Sequence, residues 1–344
     1  MIHLKKVTIT IILLFFVLIS HFSSVVRAQQ VSIVVSPPLL ELYIKPGKSV
    51  LIAYKIENNG DPVVLKSFVL PFEPKDSLGN IRIIPEFQGP VRFNLDNSII
   101  QLNQPYVMKS NDSQQLLLRI RVPEGAPEGD YYYTLLTETQ PPPVVEGVAM
   151  GRAKASIGSN ILVTVTQNGN LDLNGKISTL EIIPRLKIPW GKRSINIIDA
   201  TDKVPLVLVV HNKGKNFMKP EGKITLKSNF GEKATYNIIP QNILAQSERT
   251  LTASPSASYD CTLPAEQSLC KNTPSLVLSG FFVGRYQISA DIGFGESSPR
   301  TFASTEFIAL PLKFIVALIA VTIISALLMI TIKRRQNQEI DIYK

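Results

Sequence analysis

From Gln30 onward, apolar and polar residues alternate in short runs broken by Pro, Gly, Asn and Asp, and no long stretch keeps a helical period. In residues 50–56, Val50, Ile52, Tyr54 and Ile56 fall on one side, with Leu51, Ala53 and Lys55 on the other. In residues 115–122, Leu116, Leu118, Ile120 and Val122 alternate with Leu117, Arg119 and Arg121. Strands with one apolar face need a second sheet to cover it. The middle of the chain is therefore predicted to be all-β, built as sandwiches.

Two stretches depart from this pattern. Lys5 and Lys6 precede an apolar run from Ile9 to Ile19, and Val26-Arg27-Ala28 follows it, the three-part layout of a secretory signal peptide over residues 1–28. Cleavage after Ala28 would start the mature chain at Gln29; an uncleaved anchor is the competing reading. Near the other end, residues 314–332 contain nothing more polar than Thr322, Ser325 and Thr331. As a helix they span about 28 Å, close to the hydrocarbon thickness of a bilayer. Lys333, Arg334 and Arg335 follow at once, a basic stop that keeps residues 333–344 cytoplasmic by the positive-inside rule. The expected topology is a type I single-pass protein, with residues 308–332 as the membrane segment and the folded part outside the cell.

Punctuation recurs between the halves of the β region. Ile56-Glu57-Asn58-Asn59-Gly60 matches Val210-His211-Asn212-Lys213-Gly214, and Gly129-Asp130-Tyr131 matches Gly284-Arg285-Tyr286. The two pairs keep the same order and nearly the same spacing, 69 residues in one half and 70 in the other. This points to a duplicated domain, with two tandem immunoglobulin-like β-sandwiches over residues 29–168 and 169–307. Asn-x-Gly at a strand end is expected to supply positive-φ residues that turn the chain out of the sheet. A Tyr just after a turn, near the start of a late strand, suits a tyrosine corner, the structural role expected of Tyr131 and Tyr286. The repeat sets His211 opposite Glu57, on an outward strand face.

Charge excludes one class of partner. Of the formal +9, three units come from Lys5, Lys6 and Arg27 in the leader and two from the tail, which leaves +4 scattered over the middle. That is no footprint of a phosphate binder, so no nucleic acid is expected. His211 is the one histidine outside the leader, and Cys261 and Cys270 are the only thiols. A four-ligand Cys/His zinc site cannot be assembled from that set, and no metal or cofactor is expected. A Ser-His-Asp or Cys-His arrangement would have to recruit His211 beside a turn, so the chain reads as a non-enzyme.

Three features remain. Cys261 and Cys270 lie in a Ser- and Pro-rich insertion, residues 254–273. Outside the cytoplasm they are expected to form a structural disulfide that constrains the unfolded chain by on the order of 2–3 kcal/mol. Pro141, Pro142 and Pro143 are expected to project from one end of the first sandwich, as a low-entropy binding tip or as a stiff connector. Alternation sends Tyr132 outward, where it is a candidate ligand contact or an ordinary exposed strand tyrosine. Asn111-Asp112-Ser113 also fits a glycosylation acceptor.

Several of these motifs resemble known modules. Val35-Ser36-Pro37-Pro38-Leu39-Leu40-Glu41-Leu42 with Lys45-Pro46-Gly47, Glu57-Asn58-Asn59-Gly60, and the run from Val122-Pro123-Glu124-Gly125 to Gly129-Asp130-Tyr131 resemble bacterial extracytoplasmic immunoglobulin-like domains, in the style of pilus chaperones and carbohydrate-enzyme sandwich modules. In layout the whole chain is similar to the surface proteins encoded beside WxL cell-wall proteins. That resemblance implies peptidoglycan association for the first domain and host-protein binding for the second; the Cys261 and Cys270 pair departs from its pattern, and no individual binding residue is carried over. The resulting expectation is a membrane-anchored surface protein that binds a cell-wall polymer or an extracellular or secreted protein. The alternative is a chaperone-like assembly factor that acts on secreted subunits by strand addition.

Overall fold

The computed structural model describes residues 30–140, 154–184, 186–190, 193–260, 262, 273–295 and 298–342. The leader, Pro141, Pro142, Pro143, Cys261 and Cys270 lie outside the described residues.

The first half folds into ten strands: β1 (Ile33–Ser36), β2 (Leu39–Ile44), β3 (Ser49–Asn58), β4 (Val63–Pro74), β5 (Ile81–Ile83), β6 (Arg92–Leu95), β7 (Pro105–Met108), β8 (Asp112–Arg121), β9 (Gly129–Thr139) and β10 (Ser156–Val165). One sheet has the order β1-β3-β8-β6 and the other β2-β10-β9-β4-β5, with β7 also on β4. Tyr54, Ile56, Leu116, Leu118 and Ile120 point inward and are fully buried, as their alternation predicts. They meet Leu135, Ile161 and Val163 of the facing sheet in one apolar cluster. Burial pushes the Tyr54 phenol up to about 12, against a hydrogen bond from Ser159.

The second half repeats the plan with β11 (Gly175–Ile182), β12 (Leu186–Trp190), β13 (Arg193–Asp199), β14 (Val204–Asn212), β15 (Glu221–Ser228), β16 (Lys233–Ile238), β17 (Glu248–Thr250), β18 (Ala253–Ser254), β19 (Leu276–Leu278), β20 (Gly284–Gly293) and β21 (Thr301–Leu310). The orders are β11-β14-β17, with β19 on β14, and β12-β13-β21-β20-β15-β16-β18. In each half the last strand receives an early strand in parallel, β2 on β10 and β13 on β21. Helix α1 (Leu312–Ile342) follows β21 after Pro311 alone. Hydropathy places residues 308–310 with the membrane segment; they instead complete β21, where Ala309 is buried in the core.

The duplicated motif also has a different physical basis from the one its sequence suggests. Gly60 and Gly214 do not have positive φ. A Cβ on Gly60 would lie 2.2 Å from the Gln30 carbonyl oxygen, and one on Gly214 2.1 Å from that of Asp172. Glycine is required here because another backbone segment crosses against it. The preceding asparagines are fully buried hubs. Asn58 Oδ1 accepts from Gly60 N, and its Nδ2 donates to Asp61 O and Lys109 O. Asn212 Oδ1 accepts from Gly214 N, and its Nδ2 donates to Asn216, Ile243 and Leu244 carbonyls.

Candidate functional site

Polar and apolar side chains converge where the two sandwiches meet. β9 opens at Gly129, and the next residue, Asp130, stands at the boundary. Its carboxylate accepts from Thr164 Oγ1 at 2.7 Å and Tyr132 Oη at 2.9 Å within the first sandwich. From the second it accepts Asn216 Nδ2 at 2.9 Å and the Phe217 amide. Tyr132 Oη in turn accepts from the Ala245 amide at 2.8 Å. Both carboxylate oxygens of Asp130 and the Tyr132 hydroxyl are thus partnered across the boundary, which favours a polar network that stabilises a contact.

Around it, Phe72, Leu162 and Phe217 are buried together, with Ile81, Tyr132 and Leu244 packed on them. Tyr43 adds a stacked contact to Phe217. The connection between sandwiches is held as well: the Gln167 amide donates to Glu128, and the Asp172 amide to Asn216 Oδ1.

A second contact comes from the β4–β5 hairpin. Asp76 organises its tip by accepting from the Leu78 amide and from the Asn80 amide and side chain. The Ser77 carbonyl then accepts from the Thr250 amide of β17 at 2.6 Å. Gly79 has φ +87°, and a Cβ there would lie 2.6 Å from Cζ of Arg249, so the guanidinium packs on bare backbone. Arg249 Nη1 donates to the Asn242 carbonyl, and Asn242 Nδ2 and Lys219 Nζ donate to Glu41 of β2. Burial lowers the Arg249 pKa from its ordinary value. Between these contacts lies a cleft of about 360 Å³, lined by Leu39, Asn80, Leu162, Lys219, Asn242 and Arg249 among others.

Tyr132, a candidate ligand contact, lies at the junction. It does face away from its own core, as alternation requires, but the second sandwich covers that face. Its ring stacks on Phe72 at 5.8 Å. Burial, then the nearby Asp130 charge, raises its phenol pKa.

Tyr131 Oη donates to the Pro127 carbonyl at 3.0 Å. Tyr286 is buried against Phe282 and Phe307, and its Oη accepts from the Val283 amide at 3.3 Å and reaches Glu232 Oε2 at 3.4 Å. His211 lies on the outward strand face, 3.6 Å from Glu248 Oε1. No group of three or more His, Cys, Asp or Glu able to hold a metal ion occurs among the described residues.

Asp130 carries no motif of its own; its signal lies in the repeat. Asp130 and Arg285 occupy matching positions, yet Arg285 pairs with Glu306 on an exposed strand face, whereas Asp130 binds across the boundary.

No protein-family model matches the chain, and no curated protein matches it. Among solved structures it is similar to the class 5 fimbriae chaperone CfaA, at 11% identity over 81% of this chain and 100% of that chain, with a TM-score of 0.36. A chain of the chaperone–tip adhesin complex of CFA/I fimbriae biogenesis is similar at 10% identity, over 80% of this chain and 99% of that one, with a TM-score of 0.37. A chain of the Salmonella enterica SafA pilin–SafB chaperone complex is similar at 11% identity, over 81% and 99%, with a TM-score of 0.33. The resemblance to WxL-locus surface proteins stays one of layout.

Proposed function

We propose that the chain is a non-catalytic, membrane-tethered two-sandwich protein that binds an extracellular or secreted protein by adding an extended segment of it to an open sheet edge. In this reading residues 29–168 and 169–310 form the two domains, the second extended to the end of β21, α1 crosses the membrane, and Tyr131 and Tyr286 are structural.

The observation that supports it is the unequal treatment of matching edges. β2 and β13 are equivalent strands, each parallel to the last strand of its sandwich. β2 lies against the second sandwich through Glu41 and Tyr43. β13 carries one more strand, β12, which pairs with β13 alone among the described strands. Leu186 and Ile188 of β12 are exposed. Edge strands are usually kept short, charged, bulged or covered. β11 has a bulge between Ile177 and Thr179, β1 has four residues, and β6 carries Arg92 and Asn94. β12 is itself short and carries Lys187 and Pro189, yet it leaves Leu186 and Ile188 exposed on an uncovered edge, where an added strand can pair.

The test is purification of the full chain from its own cells, with and without Lys187→Pro and Ile188→Lys. The reading expects a secreted protein that co-purifies, becomes unstable when this chain is deleted, and is lost with either substitution. Retention of a wall polymer, unaffected by the β12 changes, would instead establish adhesion.

A further inference from the structure

The end of the second sandwich that faces α1 exposes large apolar side chains, and the strand register fixes their position. Gly284 pairs with Ala309, so the start of β20 lies level with the end of β21, one residue before Pro311 and α1. Ser228 pairs with Tyr286, which places the β15–β16 turn at the same end. The Ala200 amide donates to the Leu310 carbonyl, and the Phe282 amide to the Ala200 carbonyl. Residues 199–202, 229–232 and 280–283 therefore surround the point where α1 begins.

At that end Phe230 is 73% exposed, Phe281 71% and Val283 39%. Phe282, between the last two, is buried in the core beside Tyr286 and Phe307. Phe281 and Val283 therefore point away from the core. Gly284, at φ +96°, brings the two segments together, since a Cβ there would lie 2.9 Å from Cε2 of Phe230.

Helix length sets how far this end stands from the lipid. The apolar part of α1, Leu312–Ile332, has 21 residues, about 31 Å of helix for a hydrocarbon layer of about 30 Å. No apolar turn is left over to lift the sandwich away. The start of the helix is also pinned: Asp199 Oδ2 accepts from the Lys313 amide at 2.9 Å, and Lys313 Nζ donates to Thr201 Oγ1. With Leu312 at the boundary, the loops beside it stand at headgroup depth.

We infer that Phe230, Phe281 and Val283 form a lipid-seated face, so that the second sandwich rests on the bilayer. The occupant is the lipid surface itself, selected by the helix that emerges from the same end. Aromatic and aliphatic side chains at the interface anchor a protein in this way. The inference rests on the reading that α1 crosses a membrane.

Tryptophan fluorescence of the full chain in phosphatidylcholine–phosphatidylglycerol vesicles tests both statements separately. Trp190, the chain's single tryptophan, is first replaced by Phe. Single tryptophans are then placed by Phe230→Trp, Phe281→Trp, Leu318→Trp and Ile99→Trp, the last at an exposed position of the first sandwich. The inference expects blue-shifted emission at positions 230 and 281, quenched by lipids brominated near the headgroup, with position 318 quenched by deeper bromines and position 99 unquenched. Water-like, unquenched emission at 230 and 281 with quenching at 318 would overturn the seated face and leave the membrane helix standing. Absence of quenching at 318 would overturn both.

Discussion

The side-chain amide of Asn216 donates to the carboxylate of Asp130 at 2.9 Å, across the boundary between the two sandwiches. The neighbouring Phe217 amide donates to the other oxygen of the same carboxylate. Two consecutive residues of one sandwich thus converge on one side chain of the other, while the Phe217 ring enters the apolar cluster beside Phe72 and Leu162. Polar and apolar contacts reinforce each other there, because the cluster keeps water from the hydrogen bonds.

Asp130→Ala removes one carboxylate that serves four donors and leaves the Phe217 amide without its partner. Loss of a part-buried charged acceptor of this kind costs about 2–4 kcal/mol. Calorimetry is expected to show a single unfolding transition for the unaltered chain and two for the variant, as the sandwiches uncouple.

Gly79→Ala tests the hairpin contact without removing any hydrogen-bonding group. The new methyl meets the Arg249 guanidinium at a backbone position of φ +87°, which disfavours alanine. Hydrogen exchange at the Thr250 amide, which bonds to the Ser77 carbonyl, is expected to accelerate, while amides in the core of β3 and β8 keep their protection.

Gly60→Ala and Gly214→Ala each force a methyl onto a backbone carbonyl. Because neither neighbour is the free end of a side chain, relief requires moving a strand, and each change is expected to cost about 2 kcal/mol or more. Chemical denaturation followed by probes in each half would locate the damage, Gly60→Ala in the first sandwich and Gly214→Ala in the second.

Asp199 gives the protein an acid-sensitive joint. Burial alone would raise its pKa, but hydrogen bonds from the Lys313 amide and from the Thr201 hydroxyl and amide, with the Lys313 charge, outweigh it and hold the carboxyl well below the usual range. A depressed folded pKa contributes stability above the ordinary carboxylate value, lost as pH falls through the folded one. Between neutrality and about pH 5, above the ordinary carboxylate pKa, this contribution is therefore constant, and it declines below that. Asp199→Asn is expected to flatten the acid limb of a thermal-stability profile measured from pH 7 to pH 2.

The strands, their inward faces and the duplication were legible in the sequence because each depends on local alternation and local punctuation. Tyr54, Ile56, Leu116 and Leu118 are buried as their spacing requires. The junction was not legible, because Tyr132 and Leu162 sit on the outward faces of their strands and look like ordinary exposed residues until another sandwich covers them. Phe217 and Leu244 lie outside the strands, where no period identifies them. Local punctuation marks Gly60 and Gly214, but the reason glycine is required there, a crossing backbone at Gln30 and Asp172, has no local pattern. The edge of β12 was equally hidden: its pairing depends on register with β13, not on a pattern of its own.

Asp130, in the first sandwich, and Asp199 hold opposite ends of the second sandwich, one binding Asn216 and Phe217 and the other the first turn of α1. Neither joint contains a slack length of chain. A sideways load on the outermost strands is therefore passed on as leverage, arriving at the helix as torque instead of being absorbed by a swivel.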